Sequence, residues 1–154
     1  MTELQSAVAL AQLEKINKIL NKQRKTYFNI VNNIDNSFYK LRQNVSKAVP
    51  VYSSIAIEFK TEKECKKFIE FMNINGIGFD VYCSHLIMDF DTFEKQQSWH
   101  ISNFPYNITN YKKTKCSKTK NLFQRVAWFN LSASLKSKHI KYIIKKLKEY
   151  QNEF

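Results

Sequence analysis

The side chains best suited to acid–base chemistry in this chain are few and scattered. The candidates are three histidines and three aspartates: His85, His100, His139, Asp80, Asp89 and Asp91. A general acid or base must lie within hydrogen-bond reach of the proton it moves, and the aspartates could supply a carboxylate pair. Solvated loop acids are the commoner origin of such a pattern, and the Gly-x-Ser-x-Gly turn of a serine nucleophile is missing. The sequence therefore predicts no self-contained catalytic site.

The three cysteines, Cys65, Cys83 and Cys116, are odd in number and widely spaced. Zinc sites usually take two cysteines from a Cys-x-x-Cys pair, which this chain lacks. Cys83-x-His85 offers two ligands at most. We therefore expect reduced thiols in a cytosolic protein, without a disulfide framework or a metal site.

Basic residues dominate the charge. Lys and Arg number 25 against 13 acidic residues, which gives a net charge of +12, and only three of the 25 are arginine. An excess of this size is one signature of nucleic-acid binding. However, Lys, Asn, Ile, Tyr and Phe are abundant together, as A/T-rich codons would produce, and arginine is the preferred reader of phosphate and guanine. Compositional drift is therefore favoured, and nucleic-acid binding is the alternative.

One long helix is predicted to open the chain and to position whatever follows. Thr2 and Gln5 have the spacing of a capping box, and Glu3 places an acid in the first turn, where the helix dipole favours it. Apolar residues then recur mainly at steps of three and four, with a step of two at Ala11–Leu13 and a gap near Arg24: Leu4, Val8, Ala11, Leu13, Ile16, Leu20, Tyr27, Val31, Ile34, Phe38 and Leu41. A helix over residues 1–42 would be roughly 50 Å or more long and would need a surface beyond its own domain.

Alternating and helical apolar patterns define the elements after this helix. We predict a strand at 51–59, a helix at 61–75, a strand at 77–82, an irregular excursion at 84–115, a helix at 117–124, a strand at 127–131 and a helix at 136–150. The aromatic residues of the excursion are expected to pin it to a surface or to cover the sheet.

The order of these elements predicts an α+β fold. A long N-terminal helix precedes a small three- to four-stranded sheet, mixed or antiparallel, that is covered by helices. We divide the chain into a helix at 1–42 and a small domain at 43–154. No apolar run approaches the roughly 20 residues that span a bilayer. The N-terminus also lacks the basic start and apolar core of a secretory signal, so we expect a cytoplasmic protein without a membrane partner.

Three stretches resemble nucleotide-sugar aminotransferases of the DegT/DnrJ/StrS type. The segment MTELQSAVALAQLEKINKILNKQRK is similar to the family's M-[ST]-E-L-Q-A-A-[IL]-G-L-A-Q-L and the basic helix after it, with Ala9 where the family usually has Gly. Residues 75–82 with His85 resemble the strand and loop G-I-x-x-x-x-Y-x-P-x-H, without its prolines. Residues 124–144 resemble a later strand and helix, with Asn130 in place of a usual proline.

The resemblance implies a fold and a cofactor. It covers only the small C-terminal domain of a type I PLP-dependent aminotransferase and the long helix that enters it. The complete family enzyme uses PLP and works as a homodimer. It transfers an amino group, usually from glutamate, to a sugar on a nucleotide carrier. By family position, His85 would lie near the sugar pocket, although a structural role for this histidine is the competing interpretation.

The resemblance also implies what this chain lacks. A PLP enzyme needs a Schiff-base lysine, an acidic partner for the pyridinium nitrogen and donors for the phosphate. In the family these precede the segment that resembles residues 1–25. Ser46-Lys47 lacks the surroundings of the family lysine, and Gly76 and Gly78 are the only glycines. We expect this chain to bind no cofactor and not to transaminate alone.

Three functions follow as hypotheses. The first is a C-terminal fragment, or split-gene partner, of a PLP-dependent aminotransferase for amino-sugar and cell-surface polysaccharide biosynthesis. Its partner would be an upstream large-domain half, or a second copy, bound through the helix at 1–42. The second is a small basic nucleic-acid-binding protein. The third is a non-catalytic partner of a full-length aminotransferase.

Overall fold

The computed structural model describes residues 2–83, 86–108 and 116–153. The helices are α1 (Glu3–Leu13), α2 (Ile16–Val31), α3 (Glu62–Ile74), α4 (Asp91–Glu94), α5 (Ser117–Gln124) and α6 (Ser137–Glu153), with a 3₁₀ turn at Ile87–Asp89. The strands are β1 (Lys40–Leu41), β2 (Ser54–Glu58), β3 (Asp80–Val81) and β4 (Val126–Asn130). The predicted α+β class is confirmed.

The single helix expected over residues 1–42 is wrong in two places. At Lys15 the backbone N–H donates to the Gln12 carbonyl at 3.1 Å, three residues back, and this tighter turn separates α1 from α2. Helix α2 then ends at Val31, and β1 occupies part of the remaining stretch. After the helix has ended, the Asp35 carboxylate accepts bonds from the backbone and hydroxyl of Ser37 at 2.8 and 2.7 Å and shapes the turn that leads to β1. The helical spacing of the later apolar residues is therefore coincidental.

The four strands form one antiparallel sheet in the order β1-β2-β4-β3. Strand β2 is central and pairs with β4 from Ser54↔Asn130 to Glu58↔Val126. Strand β1 pairs with its other edge, with Lys40 opposite Glu58. Of the two expected pairings, mixed or antiparallel, the sheet is therefore antiparallel. Strand β1 lies within the stretch that the sequence pattern predicts to be helical.

Helices α2, α3 and α6 cover one face of the sheet. Ile55 and Ile57 alternate toward this face, as the sequence predicted, and both are buried. They meet the apolar faces of the helices: Ile30 of α2, Cys65, Phe68 and Met72 of α3, and Ile140, Ile143, Leu147 and Tyr150 of α6. Burial of this apolar area, at about 25 cal/mol per Å², is the main stabilising term. The second face of the sheet is consequently left for other contacts.

The excursion differs from expectation. Its aromatic residues were expected to pin it down, yet Trp99 is 99% exposed and Phe104 61% exposed. The described part is held by its own polar contacts, because the Asn103 side chain accepts from the Ser98 backbone at 2.7 Å and donates to the Gln96 carbonyl at 3.1 Å. Tyr111 lies outside the described residues. Local turns thus shape this segment without using most of its aromatic surface.

Candidate functional site

The two histidines that the structure describes, His100 and His139, make local contacts. His85, the residue carried over from the family as substrate-side, lies outside the described residues, so its role stays a prediction. The exposed His100 contacts the Ser102 hydroxyl at 2.7 Å, and His139, also exposed, accepts a bond from the Lys136 backbone at 3.3 Å. Both contacts are local to a turn or a helix start. Among the described residues, no hydrogen bond links either ring to the second catalytic group that acid–base chemistry requires.

The three aspartates hydrogen-bond or pair with groups of the surrounding turns and helices. Asp80 accepts a bond from the Val81 backbone at 2.7 Å, and Asp91 pairs with Lys95 at 2.7 Å within α4 and its cap. Asp89 caps the 3₁₀ turn and pairs with Lys120 of α5 at 3.2 Å. Within the part of the chain that the structure describes, no cluster of three or more His, Cys, Asp or Glu could hold a metal ion. The acids therefore look like stabilisers of a loop.

Of the cysteines, Cys65 is fully buried between α3 and the sheet. Burial is the largest cause that raises the pKa of its thiol to about 11, with the carboxylate of Glu62 adding to the effect. A thiol held neutral in the core is a poor nucleophile and a poor metal ligand. This agrees with the expectation of an ordinary reduced cysteine at this position.

A groove lies over the second face of the sheet. It has a volume of about 510 Å³ and is built from the outward residues of β2 and β4, the end of α5 and the chain around β1. Tyr82 forms its aromatic wall, with ring centroids 5.8 Å from Trp128 and 5.1 Å from Phe123. The sequence carried the signal for these positions, because Ser54, Ala56 and Glu58 alternate with the buried isoleucines. Alternation alone does not predict a groove on that face, because the groove depends on how α5 and β1 lie against the sheet.

Glu58 is the charged centre at one edge of the groove. Its carboxylate lies 2.7 Å from the Lys40 ammonium and 3.6 Å from the Arg125 guanidinium. Arg125 also donates to the carbonyls of Phe59 and Lys60 at 3.1 Å each, which ties β4 to the start of α3. The carboxylate is thus shared by two cations that cross-link three strands. This arrangement favours a binding or docking surface over a reactive centre.

The donor set of this groove does not fit PLP. Lys40 is the lysine among its lining residues, and its ammonium is engaged by Glu58. A Schiff-base lysine must be free to attack, and the cofactor phosphate needs a cradle of backbone N–H groups. Both glycines of the chain lie elsewhere, at the end of α3. No reaction step is therefore assigned to these residues.

Helix α1 is the most unusual surface of the molecule. Its predicted capping box is present, since the Thr2 hydroxyl accepts from the Gln5 backbone at 3.3 Å and the Gln5 side chain accepts from the Thr2 backbone at 2.9 Å. Yet every residue of α1 is exposed. Leu4 is 76% exposed, Leu10 61% and Leu13 64%. A well-capped helix therefore extends from the domain without burying any side chain.

The apolar residues of α1 also surround the helix instead of forming one stripe. At roughly 100° per residue, Leu13 lies opposite Leu4, and Leu10 lies between them. The predicted continuous stripe is therefore wrong for this segment. An isolated helix of this length is marginal in water. The large apolar residues of α1 therefore leave apolar surface exposed on more than one side of the helix.

No helix within the described ranges combines the length and the hydropathy that a bilayer crossing requires.

Several solved structures share this architecture. The chain is similar to a Streptococcus pneumoniae structure in its PMP form, at a TM-score of 0.75 and 14% identity over 99% of this chain and 36% of that one. It is similar to PseC of Helicobacter pylori, an aminotransferase involved in the biosynthesis of pseudoaminic acid, at a TM-score of 0.71 and 17% identity over 100% and 38%. The chain is also similar to the sugar aminotransferase CalS13 of Micromonospora echinospora, at a TM-score of 0.64 and 12% identity. That match covers 91% of this chain and 33% of CalS13.

These matches define the class of fold as the small domain of PLP-dependent aminotransferases. The chain spans about a third of the length of the structures that it matches. By sequence, the DegT/DnrJ/EryC1/StrS aminotransferase family matches residues 1–148, and this chain belongs to that family. No relative among the curated proteins matches it. The family membership inferred from the three sequence stretches is confirmed.

Proposed function

We propose that this chain is the small-domain part of a PLP-dependent nucleotide-sugar aminotransferase, active only together with a cofactor-carrying large domain. That domain belongs either to the same polypeptide or to a separate, split-gene partner. The reaction would supply amino sugars for cell-surface polysaccharides, in the cytoplasm. The division into a joining segment at 1–42 and a small domain at 43–154 belongs to this proposal, with the helical part limited to α1 and α2.

The observation that carries the proposal is the exposure of α1. Its four large apolar residues, Leu4, Val8, Leu10 and Leu13, are 55% to 76% exposed and lie on more than one side of the helix. Enclosing such side chains stabilises an interface by about 1.5–3 kcal/mol each when burial is complete. A large domain that packs around the helix would supply this burial. The fully exposed Ile101 and Trp99 of the excursion offer a second apolar surface for the same purpose.

The first test is to sequence the DNA next to the coding sequence of this chain and to co-express the encoded protein with this chain. We expect a domain with a PLP lysine in the same or a neighbouring reading frame, and a complex of that domain with this chain. The complex should bind PLP and give a borohydride-trapped adduct on a lysine of the large domain. An adduct at one specific lysine of this chain alone would contradict the proposal.

The contribution of α1 is tested by replacing Leu4, Leu10 and Leu13 with Gln. We expect the complex to weaken at least tenfold, because three interface side chains become polar, while the circular dichroism of the small domain stays unchanged. A matched control replaces three apolar residues of similar exposure outside α1: Val45, Val49 and Ile74. If the control variant weakened the complex equally, α1 would not be the segment that binds the large domain.

The same protein samples distinguish two other partners that could bind α1. Sedimentation of the chain alone would reveal a homodimer held by α1. Co-purification with an intact full-length aminotransferase, without a separate large domain, would instead identify a non-catalytic partner. Either result would replace the split or fragment assignment.

A further inference from the structure

The excess positive charge of the chain is concentrated on two neighbouring helices. Helices α2 and α6 together carry nine Lys and Arg residues against two acids, Glu149 and Glu153, which amounts to +7 of the total +12. These helices comprise 16 and 17 of the 154 residues. Compositional drift would spread lysines evenly over the surface. A local concentration of this size calls for a different explanation.

Seven exposed lysines form two columns on these helices, which we term the lysine face: Lys18, Lys22, Lys25, Lys138, Lys141, Lys145 and Lys148. Within each helix they recur at steps of three and four, so each set occupies one side. Lys145 lies 3.7 Å from Glu149, and among the described residues the other six have no acidic partner within salt-bridge distance. The face therefore keeps most of its charge uncompensated.

The two helices run side by side. Gln23 near the middle of α2 donates to the Leu131 carbonyl just after β4 at 2.9 Å, and Gln151 at the end of α6 donates to Asp35 just after α2 at 3.1 Å. The helices are thus parallel neighbours on the same side of the sheet. Their buried residues, Ile30, Ile143 and Leu147, join the core, whereas all seven lysines are exposed to solvent.

We propose that the lysine face binds the phosphate backbone of double-stranded nucleic acid without sequence preference. Its longer column runs from Lys138 to Lys148, about ten helical steps or about 15 Å. A duplex of that length carries about nine phosphate charges, comparable with the seven lysines. Lysine supplies a point charge for phosphate, whereas base recognition favours the bidentate fork of arginine. This surface is separate from α1 and lies across the sheet from the groove.

A membrane surface fits the lysine face less well. Interfacial helices insert an apolar face beside their basic residues. In α2 and α6 the apolar faces are turned into the core, as the burial of Ile30, Ile140 and Ile143 shows. Attraction to phosphates would therefore be electrostatic only, which is the pattern of non-specific nucleic-acid binding.

The test is fluorescence anisotropy with duplex DNA and duplex RNA of about 20 base pairs and with anionic lipid vesicles, between about 50 and 200 mM salt. We expect at least one duplex to bind, with an affinity that falls steeply as salt rises. The test variant replaces four lysines of the face with Gln: Lys18, Lys22, Lys141 and Lys145. Its affinity should fall at least tenfold, and the slope of log affinity against log salt should decrease by about 3 to 4.

A control with the same net charge replaces four exposed lysines elsewhere: Lys47, Lys60, Lys63 and Lys118. This control should keep the affinity within about threefold of the unaltered protein, since its lysines lie off the face. Equal losses in both variants would show a mere net-charge effect and overturn the proposal. Binding to vesicles but to neither duplex, or no binding at all, would overturn it as well.

Discussion

At the scale of single residues, Tyr39 shows how a polar atom is accommodated in the core. The ring is fully buried, and its hydroxyl donates to the Leu147 carbonyl at 2.6 Å. Burial is the main cause that raises the pKa of Tyr39 well above its ordinary value, with Tyr150 adding to it. One hydrogen bond thus connects the start of β1 to the middle of α6 and keeps the phenol neutral.

This burial predicts an alkaline loss of stability. Because the folded-state pKa of Tyr39 is raised, its contribution is fully present below the unfolded-state value near 10 and is lost as pH rises toward the folded-state value. Tyr39→Phe should cost about 1 kcal/mol at neutral pH, from the lost hydrogen bond. It should also reduce the decline of the unfolding free energy above about pH 10.

Urea unfolding from neutral to alkaline pH measures both effects of Tyr39→Phe. The control is Tyr142→Phe, which alters a ring that is 43% exposed and should leave the alkaline decline as it is. An unchanged decline in Tyr39→Phe would contradict the assignment of this effect to Tyr39.

At the scale of elements, α3 shows how sequence signals fix both ends of a helix. The Thr61 hydroxyl accepts from the Glu64 backbone at 3.2 Å at the start. At the end, Gly76 has a φ of +73°. The N–H groups of Gly76 and Ile77 donate to the carbonyls of Asn73 and Met72 at 2.9 Å each, which completes a Schellman motif. The two glycines that follow α3 therefore differ in conformation.

Gly76 and Gly78 provide a matched pair for a stability test. Nothing lies within 4 Å of a Cβ atom built at either position, so steric contact does not distinguish them. Gly76→Ala should lower the free energy of unfolding by about 1 kcal/mol, because an L-residue is strained at positive φ. Gly78→Ala should cause no loss. Chemical denaturation compares them, and equal effects would refute the role of φ at position 76.

At the scale of the whole molecule, the described residues form a packed sheet-and-helix unit and a helix, α1, that has no buried residue. The core joins α2, α3 and α6 to the sheet, whereas α1 buries no residue. Stability therefore depends on the packed unit, whereas the partner binding proposed above would depend on α1. Helix α1 can therefore be altered without loss of the fold.

Deletion of residues 2–13 should leave the melting temperature of the remaining chain unchanged within about 2 °C, because no buried area is lost. The contrasting variant is Leu147→Ala, which removes a fully buried side chain and should cost about 2–5 kcal/mol. Calorimetry of both variants makes the comparison. A large drop for the deletion would mean that α1 supports the small domain itself.

The sequence by itself determined the family, the α+β class, and the position of α3, α5, α6 and the longer strands. It could do so because caps and apolar periodicity are local, and each of these elements satisfies its own pattern. Only the tertiary structure decided that β1 is a strand and that α1 lies exposed. Pairing of Lys40 with Glu58 joins segments that are far apart in the chain, and burial depends on which surfaces meet. The spacing of apolar residues within one segment predicts neither the pairing of that segment with a distant strand nor its burial.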